Sequence, residues 1–243
     1  MKLKCARCGF EYSMREIFGT CRKCGGPLDV IYDYENIRGS ISRDLWENRA
    51  NGLWKYYELL PIKPENAISL GEGNTLLVKC DKLGRFLGLK HLFVKDETKN
   101  PTGSFMDRGS SVLISKLVEY GFTGVYGIFK GNLGASLAAY SAKAGLKCTI
   151  FLSSQVDASK LYQMIVYGAS IYPIRSYNSI KITDKQYFAD NADPFIIEGE
   201  KTIGFEIIEK FNWNTPNFIV APMGSGGLVS AIWLSLIHIS EPT

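Results

Sequence analysis

The chain has 243 residues, 46% of them hydrophobic, and a formal net charge of +4. This length suffices for one large domain or two modest ones with a substantial core. The sequence has no long apolar run and no apolar segment behind its basic start, so it predicts neither a membrane span nor a signal peptide, and we expect a cytoplasmic protein.

The positive charge is concentrated at the beginning of the chain. Residues 1–24 contain six basic and two acidic side chains, whereas the rest contains 22 of each kind. The main body is therefore neutral, which argues against a nucleic-acid-binding module.

Two cysteine pairs stand out in residues 1–30. Each pair has the pattern CxxCG, and twelve residues separate the pairs. Such a pair can place two thiolates on one metal, and the following glycine permits the tight turn that this needs. The spacing therefore predicts a zinc ribbon with a closed, structural zinc site; a mononuclear iron site and two disulfides are the alternatives. The four ligands would be Cys5, Cys8, Cys21 and Cys24.

Strand and helix patterns alternate after a connecting segment. Residues 31–74 are aromatic and charged with weak periodicity and predict one or two helices. Beyond them, strands are predicted at HLFVKDE, GVYGIF, KCTIFLS, ASIYPI and NFIVAPM, and helices at FMDRGSSVLISKLVEYG, GNLGASLAAYSAKAG and SKLYQMIVYGA. The alternation predicts a parallel, doubly wound α/β architecture.

Three loops follow predicted strands, where ligands sit in such folds. They are NPTGSFMDRG, FKGNLGAS and MGSGGL. The last can point backbone N–H groups at a phosphate, although many glycine loops only turn the chain. In the second loop an asparagine can donate to a ligand oxygen. The candidate ligand-binding residues are Asn132, Gly224, Ser225, Gly226 and Gly227.

The last ten residues, LSLIHISEPT, match the in-frame translation of a transposase sequencing adapter. We therefore interpret residues 234–243 as non-native, with the native chain continuing differently after about Trp233. An amphipathic helix that continues from LVSAIW is the alternative. In the first interpretation His238 is foreign and His91 is the one native histidine, so the chemistry must proceed without a histidine base.

From Gly71 to Trp233 the chain resembles threonine synthases, pyridoxal-phosphate (PLP) enzymes of fold type II. The matching stretches are GEGNT, FVKDETKNPTGSFMDRG, GNLGASLAAYSAKAG, SKLYQMIVYGA, EGEKTIGFEIIEKFNWNTPNFIV and GSGGLVSAIW. An amino-terminal zinc ribbon also occurs in this family. The resemblance implies a two-lobed fold with parallel sheets over residues 75–233. Residues 31–74 would include the start of the large lobe, which would be incomplete at its carboxyl end.

The same resemblance implies roles for individual residues. Asn132 would contact the phenolic oxygen of PLP, and the loop from Gly224 to Gly227 would bind its phosphate. Met106 occupies the position of the Schiff-base lysine, whose amine holds the cofactor and carries protons. A thioether can do neither, so we expect non-covalent PLP binding and turnover reduced by orders of magnitude. Lys99, Asp107, Arg108 and Lys160 are expected to be structural partners in salt bridges.

Met106 has two explanations. A methionine codon differs from a lysine codon by one base, so a read error is one of them. Four family positions also depart, however: three of them lose hydroxyls expected to hold the substrate carboxylate, and at the fourth Leu76 replaces a proline. This clustering favours a real divergent paralogue. The departing positions are Leu76, Phe129, Lys130 and Leu133.

Two functional hypotheses result. The first is a threonine synthase-like lyase of threonine biosynthesis, impaired at Met106, that acts on the phosphorylated amino acid O-phosphohomoserine and yields threonine and phosphate. The second is a catalytically silent paralogue that binds PLP, an amino acid or a partner subunit. Lys130 could supply a relocated amine or a cation, or be a solvated loop lysine. We expect no nucleic-acid or membrane partner; a homodimer is a possible assembly.

Overall fold

A computed structural model describes residues 1–14, 17–153 and 156–240, with only the backbone over 237–240. The chain begins with a three-stranded antiparallel sheet in which β1 (Lys2–Cys5) lies between β2 (Glu11–Ser13) and β3 (Leu28–Ile31). Its apolar side chains alternate with polar ones, so that one face is buried. We call residues 1–32 the ribbon.

Short helices connect the ribbon to the rest of the chain, as the sequence predicts. They are α1 (Tyr34–Arg38) and α2 (Arg43–Glu47), followed by 3₁₀ turns at Leu53–Leu59 and Pro64–Asn66. Both α-helices begin at a capping side chain: Asp33 accepts a hydrogen bond from the N–H of Asn36, and Ser42 accepts one from that of Leu45.

The next elements are a two-stranded antiparallel sheet and a long helix. β4 (Leu76–Lys79) pairs with β5 (Phe93–Asp96), and α3 (Asp81–Leu87) connects them. One face of this pair points inward through Phe93 and Lys95, while Leu76, Val78 and Val94 on the other face are 44% to 56% exposed. α4 (Met106–Glu119) follows and is almost entirely buried.

A four-stranded parallel sheet forms the other layer. Its spatial order is β8-β7-β6-β9. α5 (Asn132–Ala144) connects β6 to β7, and α6 (Ala158–Val166) connects β7 to β8. This arrangement confirms the predicted α/β class with a parallel sheet. The strands are β6 (Gly124–Ile128), β7 (Lys147–Leu152), β8 (Ser170–Pro173) and β9 (Gln186–Phe188).

Three helices complete the described chain: α7 (Pro194–Glu200), α8 (Thr202–Lys210) and α9 (Gly227–Ser240). α7 packs on α4 at near backbone contact. A Cβ atom on Gly199 would lie 2.1 Å from the carbonyl oxygen of Arg108, and one on Gly109 would lie 2.7 Å from Cγ2 of Ile196. The two glycines therefore fix the position of the helix that begins at Met106.

One predicted strand is wrong. The stretch NFIVAPM forms no strand, and it pairs with no strand of the described chain. Phe218 and Val220 are 90% and 97% exposed. A strand needs a hydrogen-bonded neighbour, which local pattern cannot supply. The carboxyl-terminal helix α9 runs into residues 234–240, whereas residues 241–243 lie outside the described part. No helix among the described residues is both long and apolar enough to cross a bilayer.

Candidate cofactor site and metal centre

The four ribbon cysteines converge as their spacing predicts. Their sulfur atoms all lie within 4.8 Å of one another; Sγ of Cys5 is 3.5 Å from that of Cys24, and Sγ of Cys8 is 3.7 Å from that of Cys21. Four Zn–S bonds of about 2.3 Å in a tetrahedron require sulfur separations of about 3.8 Å. The described geometry can therefore accept one such ion.

Glycine conformation creates this convergence. Gly9 and Gly25 follow the second cysteine of each pair and have φ angles of +69° and +68°. Each donates its N–H to the carbonyl of the first cysteine, which closes a tight loop around the sulfur atoms. This is the turn that the CxxCG pattern predicts.

Tyr12 is a residue of this centre that was not predicted from the sequence; its hydroxyl oxygen is 3.0 Å from Sγ of Cys21. Burial raises the pKa of the Cys21 thiol, but hydrogen bonds from this hydroxyl and from the backbone N–H groups of Lys23 and Cys24 outweigh it and lower that pKa to about 6. Cys21 is thus ready to ionise, and the thiolate is the form that binds metal. The sequence signal for this contact was an aromatic residue four positions after the first CxxC pair.

The ribbon is anchored to α7 by a buried polar cluster. The hydroxyl of Tyr32 donates to Glu198, which also forms an ion pair of 2.7 Å with Lys201. The ammonium group of Lys201 lies 4.8 Å from the centre of the Tyr32 ring. Since each of these side chains is at most 5% exposed, the ribbon is an integral part of the fold.

Met106 is the first residue of α4 and is half-buried against the main core. The preceding loop is held rigidly, because Asp107 accepts hydrogen bonds from the N–H and the hydroxyl of Thr102 at 2.7 and 2.6 Å. Burial raises the pKa of Asp107, although Ser136 and Thr102 donate to it. Asp107 is thus a structural partner, as expected, but through hydrogen bonds and not through a salt bridge.

The second loop leads into α5, which begins at Asn132. Asn132 and Lys130 are exposed, whereas Phe129 and Leu133 are each 4% exposed and belong to the core. Ser136, one turn into α5, donates to Asp107 at 2.6 Å. This bond holds the amino end of α5 beside the amino end of α4.

The third loop leads into α9. Gly224 and Ser225 are exposed, Gly226 has a φ of +88°, and Gly227 begins the helix. Leu228 belongs to a cluster formed by Ile203, Ile207, Ile232 and partly buried neighbours, and Phe105 packs on the same cluster. The amino end of α9 is therefore connected through one apolar cluster to the residue before Met106.

The amino ends of two helices, α5 and α9, are thus each connected to the start of α4. The first turn of a helix has N–H groups without helical partners and a partial positive charge, and both features favour an anion. α5 and α9 have 13 and 14 residues, long enough for this effect.

Arg108 lies beneath this region and is completely buried. It makes two hydrogen bonds to Glu97, at 2.7 and 2.8 Å, and two to Glu206, at 2.7 and 3.0 Å. Burial raises the pKa of Glu206, but Arg108 and Lys95 outweigh it and lower that pKa to about 2. Arg108 is therefore the structural ion-pair partner that the sequence predicts.

The chain resembles known proteins over most of its length. Residues 68–243 match the family model described as pyridoxal-phosphate dependent enzyme. Threonine synthase from Methanocaldococcus jannaschii is 42% identical over 243 aligned residues, covering 96% of this chain and 60% of that protein. Threonine synthase from Methanosarcina acetivorans is 40% identical, covering 95% and 58%. The chain thus spans about six-tenths of the length of these curated relatives.

Solved structures agree on the fold. The structure of maize serine racemase is similar with a TM-score of 0.60 and 26% identity, covering 69% of this chain and 53% of that one. A fungal L-serine ammonia-lyase from Rhizomucor miehei has a TM-score of 0.61 at 20% identity, covering 68% and 56%, and supports the fold alone. The resemblance to threonine synthases is confirmed, and with the family model matching residues 68–243, the chain belongs to the family of pyridoxal-phosphate-dependent enzymes.

Proposed function

We propose that this chain is a threonine synthase-like protein that binds PLP without a covalent bond and converts O-phosphohomoserine to threonine and phosphate poorly or not at all. The observation that carries the proposal is the 40% to 42% identity to threonine synthases, combined with a thioether at Met106. The identity supports the substrate class. The thioether supports the impairment, because it lacks the amine that such chemistry uses.

The residues present fit the cofactor's phosphate and ring. Space is open around Gly131, Gly224 and Gly226, where an added Cβ atom would meet no other atom within 4 Å. The N–H groups at the start of α9 would hold the phosphate, and the Asn132 amide would donate to the ring oxygen. When bound, PLP supplies an electron sink for charge that develops on substrate carbons. The side chain of Met106 cannot form a covalent bond to the cofactor.

Substrate binding is weakened by two further side chains. Phe129 and Leu133 belong to the core, so neither offers a polar group to a substrate carboxylate. Lys130 is exposed at the same loop and could attract an anion, but its amine lies on a flexible stem and fixes no geometry. This arrangement supports reduced turnover and also keeps the second hypothesis, a silent paralogue, as the alternative.

Binding of PLP by the intact chain tests the proposal. Equilibrium dialysis should detect bound PLP, while borohydride should fix no cofactor to the protein. Asn132→Ala should weaken binding by about tenfold, as the loss of one well-placed hydrogen bond predicts. The matched control is Asn66→Ala, an exposed asparagine in the connecting segment, which should leave binding unchanged. If PLP does not bind, or if borohydride attaches it to the unmodified chain, the proposal fails.

We also propose that the four cysteines bind one structural zinc ion. With four protein ligands the site would be closed, so it would stabilise the ribbon and take no part in the reaction. Elemental analysis of freshly purified protein should find about one zinc per chain, and Cys8→Ser should lower that content and destabilise the ribbon. Cys80→Ser, outside the ribbon, is the control and should change neither. A purified chain that contains neither zinc nor iron contradicts this assignment.

A further inference from the structure

Tyr12 contacts the cysteine cluster from a fixed position. It lies in the middle of β2, and its ring makes edge-to-face contacts with Phe10 and Phe18 at centroid distances of 4.9 and 4.8 Å. Edge-to-face pairs at such distances are favourable arrangements of aromatic rings. The strand and the two neighbouring rings therefore hold the Tyr12 hydroxyl at Sγ of Cys21 before any metal binds.

A second contact also holds the Tyr12 hydroxyl, and the thiolate form of Cys21 determines the direction of its hydrogen bond. The backbone N–H of Lys23 donates to the hydroxyl oxygen of Tyr12 at 3.3 Å. A phenol has one proton to donate, whereas a cysteine bound to a metal is a thiolate without a proton and can only accept. The Tyr12 proton is therefore directed at Sγ of Cys21, 3.0 Å away.

A four-thiolate metal site carries a negative charge that this hydrogen bond can disperse. Four thiolates and one Zn²⁺ leave a net charge of about −2 on the cluster. A hydroxyl that donates to one sulfur disperses part of that charge and restrains the sulfur, as partners of metal ligands commonly do. Release of a thiolate from the metal would require that this hydrogen bond also break or rearrange.

We propose that Tyr12 is a positioning residue of the metal centre, whose hydroxyl holds Cys21 against the metal and slows metal loss. This inference rests on the proposed zinc site. It assigns a role to a side chain outside the CxxCG pattern, and it predicts that the ring and the hydroxyl of Tyr12 act separately. The ring packs with Phe10 and Phe18, and the hydroxyl acts on the sulfur.

Two variants separate these contributions. Tyr12→Phe removes the hydroxyl and keeps the ring, whereas Phe10→Leu disturbs the ring packing and keeps the hydroxyl. The full chain loaded with Zn²⁺ would be mixed with excess chromogenic chelator, and the rate of zinc transfer followed by absorbance. We expect Tyr12→Phe to accelerate transfer by about tenfold, in the range found for partners of metal ligands. Phe10→Leu should change the rate by less than about twofold.

Replacing zinc with Co²⁺ allows the bonding between the cysteine sulfurs and the metal to be followed by absorbance. In the cobalt-loaded chain the sulfur-to-cobalt charge-transfer band should shift in Tyr12→Phe and stay in place in Phe10→Leu. Equal zinc transfer by Tyr12→Phe and the unmodified chain would overturn the proposal, as would equal acceleration by both variants. Unfolding of the zinc-loaded Tyr12→Phe ribbon in circular dichroism would also overturn it, since the effect would then belong to packing. An unmodified chain that holds no metal would instead refute the zinc site.

Discussion

Met106→Lys is expected to give the chain a covalent bond to PLP that the unmodified protein lacks. The segment that orients position 106 is intact: Asp107 still holds Thr102 and Ser136, and α4 is fixed against α7. Methionine and lysine are both unbranched, so the amine should occupy nearly the same path. Because position 106 is half-buried among apolar side chains, the pKa of the new amine should be lowered, which favours its nucleophilic form.

The measurement combines absorbance with chemical trapping. PLP added to Met106→Lys should produce a visible absorption band, and borohydride reduction should attach one cofactor to the peptide that carries the substitution. Met106→Leu is the matched control, since leucine has a similar volume and no amine, and it should show neither effect. If the variant binds no cofactor, Met106 belongs to a pocket that serves another ligand.

If borohydride attached PLP to the unmodified chain, the chain would have a reactive amine at another position. Two lysines would then be tested first as the site of attachment. Lys130 is exposed beside Asn132, and Nζ of Lys160 lies 3.2 Å from the carbonyl oxygen of Thr102, on the loop before Met106. Either site would mean that the amine has moved and that the chain is not disabled.

Catalysis should return only in part with Met106→Lys. Phe129 and Leu133 are buried in the core, and neither can supply the hydroxyl that would orient a substrate carboxylate. Misplacing a reactant by about 1 Å can cost on the order of a hundredfold in rate. Phosphate release from O-phosphohomoserine should therefore stay well below that expected for an intact site.

Local patterns predicted much of this fold. The CxxCG pairs fix their own loop geometry through Gly9 and Gly25, so the position of the two sulfurs within each pair follows from local spacing. The alternation of strand and helix likewise predicted the parallel sheet, because a strand, a helix and the next strand form a right-handed unit in sequence order. Both features depend on residues close together in the chain.

Features that depend on distant residues were missed. β9 has three residues and pairs with β6 across more than fifty intervening positions, and nothing in QYF identifies such a partner. Tyr12 reaches Cys21 only because the ribbon folds back on itself. The failure at NFIVAPM has the same origin, since its apolar pattern is that of a strand but no described strand lies beside it.

Arg108→Met is expected to destabilise the protein by roughly 3–5 kcal/mol or more, enough to unfold many domains. The substitution keeps an unbranched side chain of similar reach and removes a buried cation. Glu97 and Glu206 would then face each other with Lys95 as the remaining cation, 2.5 Å from Glu206. Thermal unfolding should show the loss, and Arg85→Met, at an exposed arginine of α3, should have almost no effect.

The pH dependence identifies the mechanism of that loss. In the unmodified chain the pKa of Glu206 is about 2 and that of Glu97 is also lowered, against an ordinary value near 4.5. Their contribution to stability is therefore present above pH 4.5 and is lost as the pH falls toward 2. In Arg108→Met the two carboxylates lose the buried guanidinium that they share, so their pKa values should rise and acidification from pH 7 to pH 5 should stabilise the variant. Adding Glu97→Gln to Arg108→Met should recover part of the stability at pH 7, because it removes one unpaired buried charge. A variant whose stability falls on acidification as it does in the unmodified chain would show that Arg108 does not hold these charges.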